Sequence, residues 1–210
     1  MKWIMTIFAA ALLGGCSLTR EVPPVQSYHL DTNISIAPAA GECGGRVIRV
    51  ALIGAPQGLE GTDIYYSAAD QKTYRYTRSR WEEPPAEQLQ QIVQNSLVAS
   101  TLFGGVVPYQ SLAKNDWLLE IRIEKMMQHI DGGGQGTTAL QLYAVLIDRY
   151  SRRILGQKAF RYSHAGVPGN AQSAVEAWNR GSAAFAGELV GWLRQQCIAV
   201  PAPDRSDVDL

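Results

Sequence analysis

Cysteine and histidine are scarce in this chain, with three of each among 210 residues. His29, His129 and His164 lie far apart in the sequence, and none has a second ligand at metal-binding spacing, so the common zinc arrangements are not supported. Charge of one sign is missing as well. Nineteen basic side chains balance nineteen acidic ones, so no net field draws in nucleic acid. No apolar run reaches the roughly 20 residues that cross a bilayer. Signatures of chemistry are equally thin. The stretch Asp131-Gly132-Gly133-Gly134-Gln135-Gly136 is the nearest approach to a phosphate loop, but it lacks the Lys-Ser/Thr pair and no helical pattern follows. It reads as a hairpin link between two strands. No serine sits in a nucleophile elbow, and Glu82-Glu83, adjacent at a helix start, do not face each other. The residues therefore point to no catalytic site, no metal and no cofactor.

What is present starts at the N-terminus. Lys2 precedes an apolar run from Trp3 to Leu13, which is the length of a signal-peptide core and too short for a span. Leu13-Gly14-Gly15-Cys16 follows and has the form of a lipobox. Small residues admit the backbone to a peptidase, and the Cys16 thiol accepts a diacylglyceryl group. An ordinary secretory leader with an incidental cysteine is the alternative. Two or three acyl chains, each buried methylene contributing about 0.8 kcal/mol, hold such a protein on its membrane almost permanently. Ser17, and not Asp, follows Cys16, which favours sorting to the outer membrane with the protein facing the periplasm.

Residues 1–15 are thus expected to be a signal peptide, and residues 16–26, with Pro23-Pro24, a lipidated N-terminus and tether. About ten tether residues reach at most roughly 35 Å. Residues 27–198 make a single periplasmic domain, and 199–210 a disordered tail. With Cys16 used for lipid, Cys43 and Cys197 remain as an even pair in an oxidising compartment, and a disulfide is expected. Two separate thiols are the alternative. Joined, they close a loop of about 150 residues and stabilise the fold by roughly 5 kcal/mol on the chain-entropy account.

Along the domain, short strands are expected over 27–31, 47–53, 63–67 and 73–77, the last two forming a hairpin around Ala69-Asp70-Gln71. Pro84-Pro85 then opens a helix to Ser100, with Leu89, Ile92, Val93, Ser96 and Leu97 on one face. Val106-Val107 suggest another short strand. In 117–127, Trp117, Leu119, Ile121 and Ile123 alternate with more polar residues. Strands over 137–148 and 153–163 continue this sheet, linked by Tyr150-Ser151-Arg152. A long helix over 172–196 keeps Ala174, Trp178, Gly181, Phe185, Leu189 and Trp192 on one side. This order predicts an α+β two-layer sandwich, a mostly antiparallel sheet with two main helices packed on one face. Tyr65, Tyr66, Tyr74, Tyr76 and Trp81 crowd into a short span. They are candidates for a partner surface, with a packed hairpin as the equal alternative.

The lipobox, Pro23-Pro24 before Tyr28-His29-Leu30, Ile64-Tyr65-Tyr66, Tyr74 to Tyr76 and Trp81-Glu82-Glu83-Pro84-Pro85 occur in an order that resembles the ABC-type transport auxiliary lipoproteins. So do the helix ending Leu97-Val98-Ala99-Ser100-Thr101-Leu102-Phe103, the strands ending Asp148 and Phe160-Arg161-Tyr162, and the last helix ending Trp192-Leu193. The resemblance implies a role in a system with an ATPase, a permease and an MCE-domain protein that moves lipids or other hydrophobic compounds between membranes. The partner it implies is that MCE-domain protein, docked by a lipoprotein on the outer membrane. Some members are thought to form rings, which adds self-association, and no catalytic residue is carried over. A periplasmic lipid carrier, which needs a sizeable apolar pocket, and a scaffold or regulator of envelope assembly are the other readings.

Overall fold

The structure, a computed structural model, describes residues 23–38, 41 and 43–200. The lipobox with Cys16, the signal segment, most of the tether and residues 201–210 lie outside the described residues. In chain order the elements are β1 (Gln26–Tyr28), β2 (Val47–Val50), a 3-10 turn (Gln57–Leu59), β3 (Asp63–Ala68), β4 (Thr73–Trp81), α1 (Pro85–Ser100), β5 (Gly105–Pro108), β6 (Trp117–Ile130), β7 (Gln135–Asp148), β8 (Ile154–Pro168) and α2 (Ala171–Ala199).

Alternation in β6 decides the layering. Trp117, Leu119, Ile121 and Ile123 are buried, and Glu120 and Arg122 between them are exposed. A bulge then places Glu124 and Lys125 together on the exposed side, so that Met126 and Gln128 return to the core. One extra residue thereby keeps the inward set inward. β6, β7 and β8 form a long antiparallel meander. Its first link is the glycine-rich stretch, in which the Asp131 carboxylate accepts from the N–H groups of Gly133 (2.8 Å) and Gln135 (3.1 Å). Gly134, at φ +78°, makes the reversal in a conformation that side-chain-bearing residues rarely adopt.

The free edge of β6 is shared. Its first residues pair with β2, which in turn pairs with β5, and its last residues pair with β3, beyond which lie β4 and β1. The long ladders are antiparallel, but β1–β4, β2–β5, β2–β6 and β3–β6 are short parallel pairings. The sandwich is thus the α+β form expected, with a mixed fringe. β2 stops at Val50 and not at Ile53. The Ala51 N–H still donates to the Leu119 carbonyl of β6 at 2.9 Å, but the Ile53 N–H donates to the Gln90 side chain of α1 at 2.9 Å, and ladder pairing returns only as the isolated bridge from Gly54 to Arg122. β4 runs on to Trp81 because β1 pairs with its last three residues.

Both helices bury one face in a single core. Helix α1 starts with Pro84 as cap, Pro85 in its first turn and Glu87 near its positive end. Helix α2 is capped by Asn170, whose side chain accepts from the Ser173 N–H at 2.9 Å. Its small residues allow close approach to the sheet: a Cβ on Gly181 would meet the Leu140 side chain at 3.3 Å. Between the helices runs the segment after β1. The Leu30 N–H donates to the Gln88 side chain, the Asp31 N–H donates to Asn179 Oδ1 at 2.8 Å, and Leu30 is buried.

The last turn of α2 reaches Ala199, three residues past the expected end. Cys197 is disulfide-bonded to Cys43 with 4.9 Å between Cα atoms, and the buried Arg46 donates to the Val200 carbonyl at 2.6 Å. Arg46 also lies 4.7 Å over the Trp117 ring. The disulfide and the hydrogen bond from Arg46 hold a turn that the sequence alone leaves free to fray.

Candidate functional site

The β3–β4 hairpin divides its aromatic residues among three environments, because successive strand residues point to opposite faces. Trp81, at the end of β4, is a core residue: 2% exposed, its ring 5.7 Å from that of Trp178 on α2. It therefore drops out of any partner surface. Tyr65 points to the face without helices. There its hydroxyl donates to Asp63 Oδ2 at 3.2 Å, and Arg75 reaches the same carboxylate at 3.4 Å. Burial first, and then Asp63, raise the Tyr65 pKa above its ordinary value.

Tyr66, Tyr74 and Tyr76 share the other face. The Tyr66 ring stacks on Tyr74 at 5.4 Å and meets Tyr76 at 4.6 Å. The Tyr74 hydroxyl donates to Asp70 Oδ2 at 2.7 Å, which lowers the Asp70 pKa and raises that of Tyr74. The Tyr76 hydroxyl donates to Gln128 Oε1 at 2.6 Å, and Gln128 Nε2 donates to the Pro168 carbonyl at 2.8 Å. Gln128 is fully buried. Desolvation, with Tyr66 as a second cause, pushes the Tyr76 pKa up to about 12. Gln128 was not singled out from the sequence, where it is one polar residue in a strand. Its role comes from the bulge that turns it inward.

Beside Tyr76, a cleft of about 510 Å³ is lined by Pro23, Pro24, Tyr28, Arg78 and Asn170, among others. The described chain therefore begins at the end of the sheet that holds the Asp131–Gln135 link, whose Gly134 carbonyl accepts from the Gly169 N–H at 3.0 Å. The face opposite the helices carries no covering element among the described residues. Arg122 lies there 4.4 Å over the Tyr143 ring and bonds Glu124 at 2.9 Å, and Tyr143 donates to Gln157 at 2.7 Å.

The three histidines remain apart. His29 stands 3.8 Å from Glu82, and His129 Nδ1 is 3.0 Å from Ser67 Oγ. The Ser67–His129 contact follows from the parallel register of β3 on β6, which no local pattern announces. Among the described residues no third group is bonded behind that imidazole, so the contact is a cross-strand hydrogen bond and not a relay.

Residues 28–190 match the ABC-type transport auxiliary lipoprotein component family, and the chain belongs to that family. Over 134 residues, 62% of this chain and 68% of the relative, it is 30% identical to the intermembrane transport lipoprotein PqiC of Escherichia coli strain K12. Among solved structures, a protein from Xanthomonas campestris superposes with a TM-score of 0.74 over 83% of this chain and 98% of its own, at 16% identity. A second, uncharacterised protein reaches 0.60 over 81% and 99%, also at 16% identity. At that identity the two structures speak to the fold alone.

Proposed function

We propose that this protein is a lipid-anchored docking subunit. Acyl chains on Cys16 hold it in the outer membrane on the periplasmic side. Its folded surface receives the periplasmic end of an MCE-domain protein, part of an ABC transport system that moves lipids or other hydrophobic compounds between two membranes. Family membership carries this reading, supported by a relative named for intermembrane transport. The seven steps from Cys16 to Pro23 extend at most roughly 25 Å, so the end of the sheet beside Asn170 stays close to the bilayer. Tyr66, Tyr74 and Tyr76, with Tyr65 on the reverse of the hairpin, are the proposed contact residues, since aromatic side chains enrich interface cores.

Site-specific photo-crosslinking in native membranes tests the proposal. A crosslinker at Tyr74 is expected to capture an MCE-domain protein, while one at the buried Trp81 captures none. Recovery of no MCE-domain protein from any exposed hairpin position overturns it.

A further inference from the structure

At the end of the sheet away from Pro23, the loop 112–116 and the β7–β8 turn 149–153 enclose a cleft of about 380 Å³. Its lining is Arg49, Ala113, Lys114, Asn115, Arg149 and Tyr150, three cations and no carboxylate. Arg49 donates from Nη2 to the Ala113 carbonyl at 2.6 Å, and its Nε is buried without a partner among the described residues. The carboxylates nearby have backbone duties: Asp116 Oδ2 accepts from the Val47 N–H at 2.7 Å, and Asp148 Oδ1 from the Ser151 N–H at 2.7 Å. Neither Lys114 nor Arg149 forms an ion pair among the described residues. Arg152 and Arg153 add two exposed cations on the same turn. The cleft gathers positive charge and leaves it unanswered.

The described chain leaves the fold at this same end. Arg46 donates to the Val200 carbonyl at 2.6 Å and lies 4.7 Å over the Trp117 ring, and next to Trp117 the Asp116 carbonyl accepts from the Arg149 N–H at 2.9 Å. The sequence beyond Val200 is Pro201-Ala202-Pro203-Asp204-Arg205-Ser206-Asp207-Val208-Asp209-Leu210, three carboxylates against one guanidinium. Fully extended, four residues take Asp204 at most roughly 14 Å from Val200, and nine take Asp209 roughly 32 Å. Those lengths suffice to round the turn 149–153 and enter the cleft. We propose that the acidic segment Asp204–Asp209 of this same chain docks in the cleft, its carboxylates answering Arg49, Lys114 and Arg149. One exposed ion pair contributes little, but a covalently attached segment meets several cations at an effective concentration of about millimolar. Any acidic segment of another protein must then displace the chain's own, so the contact sets a threshold for binding at this end of the sheet. The inference does not depend on the membrane anchor or on the transport partner.

Two measurements on the full protein in detergent test this. Carbodiimide, which joins an amine to a carboxylate in contact with it, is applied to a mixture of isotope-labelled and unlabelled protein, and the products are mapped by mass spectrometry. An amide from Lys114 Nζ to Asp204, Asp207 or Asp209 within one copy is expected. No such product overturns the inference, and products found only between labelled and unlabelled copies assign the cleft to a second molecule and overturn it too. The second measurement is fluorescence anisotropy of a labelled, amidated peptide of residues 201–210. It is expected to bind the variant Asp204→Asn, Asp207→Asn, Asp209→Asn at least about tenfold more tightly than the parent, whose own segment competes. Adding Lys114→Gln and Arg149→Gln to that variant abolishes binding. Equal binding to parent and triple variant, no binding to the triple variant, or binding that survives the loss of both cations overturns the inference. Capture by Lys114 in native membranes of an acidic segment from another protein, in place of 204–209, assigns the cleft to a partner and overturns it as well.

Discussion

Single side chains show how far the pattern of burial departs from the pattern of residue types. Tyr76 and Trp81 stand five positions apart on one strand, yet Trp81 is enclosed by α2 while Tyr76 lies at the rim, bonded to Gln128. The difference has a consequence that can be measured. Burial favours the neutral phenol of Tyr76, so its pKa is raised from 10.0 to about 12 in the folded protein. A raised pKa means that the folded state holds the proton more tightly than the unfolded state. The stabilisation is complete below pH 10 and is lost as the pH climbs from there through about 12. Ultraviolet phenolate titration of the native protein is expected to show a late-ionising tyrosine that disappears in Tyr76→Phe. If the parent and variant profiles differ only by an ordinary tyrosine, Tyr76 is not desolvated. Glu188 moves the other way: hydrogen bonding from Tyr162, with Lys158 adding to it, holds its carboxyl below the ordinary range.

Among the elements, α2 depends most on distant partners. Its N-terminus is fixed locally by Asn170, but its C-terminus is fixed by Cys43 and Arg46, about 150 residues earlier. Closing so long a loop constrains the unfolded chain, so Cys197→Ser is expected to lower stability by about 2–5 kcal/mol. Denaturant unfolding of the variant and of the oxidised parent measures this. Equal midpoints would show that the cross-link contributes nothing. The helices themselves were legible: α1 has the bounds that Pro85 and the apolar face foretell, and α2 extends them by one turn. The meander was legible too, through alternation and turn residues. The short strands were read more poorly, with 27–31 and 47–53 both trimmed. A three- or four-residue strand carries little periodicity, and its ends are set by the strand it meets.

For the whole molecule, the polarity of the sheet is the central fact. Pro23 and Pro24 lie beside Tyr76 and Asn170, and the basic turn 149–153 occupies the other end. Replacing Cys16 with Ala removes the proposed site of acylation, and the protein is expected to pass from the membrane fraction into the soluble periplasmic fraction. Fractionation with immunodetection checks this. A variant that stays membrane-bound would show that Cys16 is not the anchor.

The sequence by itself determined the class of fold, the two helices, the central meander, the disulfide partners and the family resemblance. Each of these is encoded either in local periodicity or in a short motif that chemistry or an enzyme reads directly. Tertiary structure alone decided the parallel fringe of the sheet, the burial of Trp81 and Arg46, the inward turn of Gln128 and the gathering of Arg49, Lys114 and Arg149. Those features join residues tens of positions apart, and their partners become neighbours only when β2 and β3 choose the same edge of β6. That choice is governed by packing of the whole core, to which no short window of sequence has access.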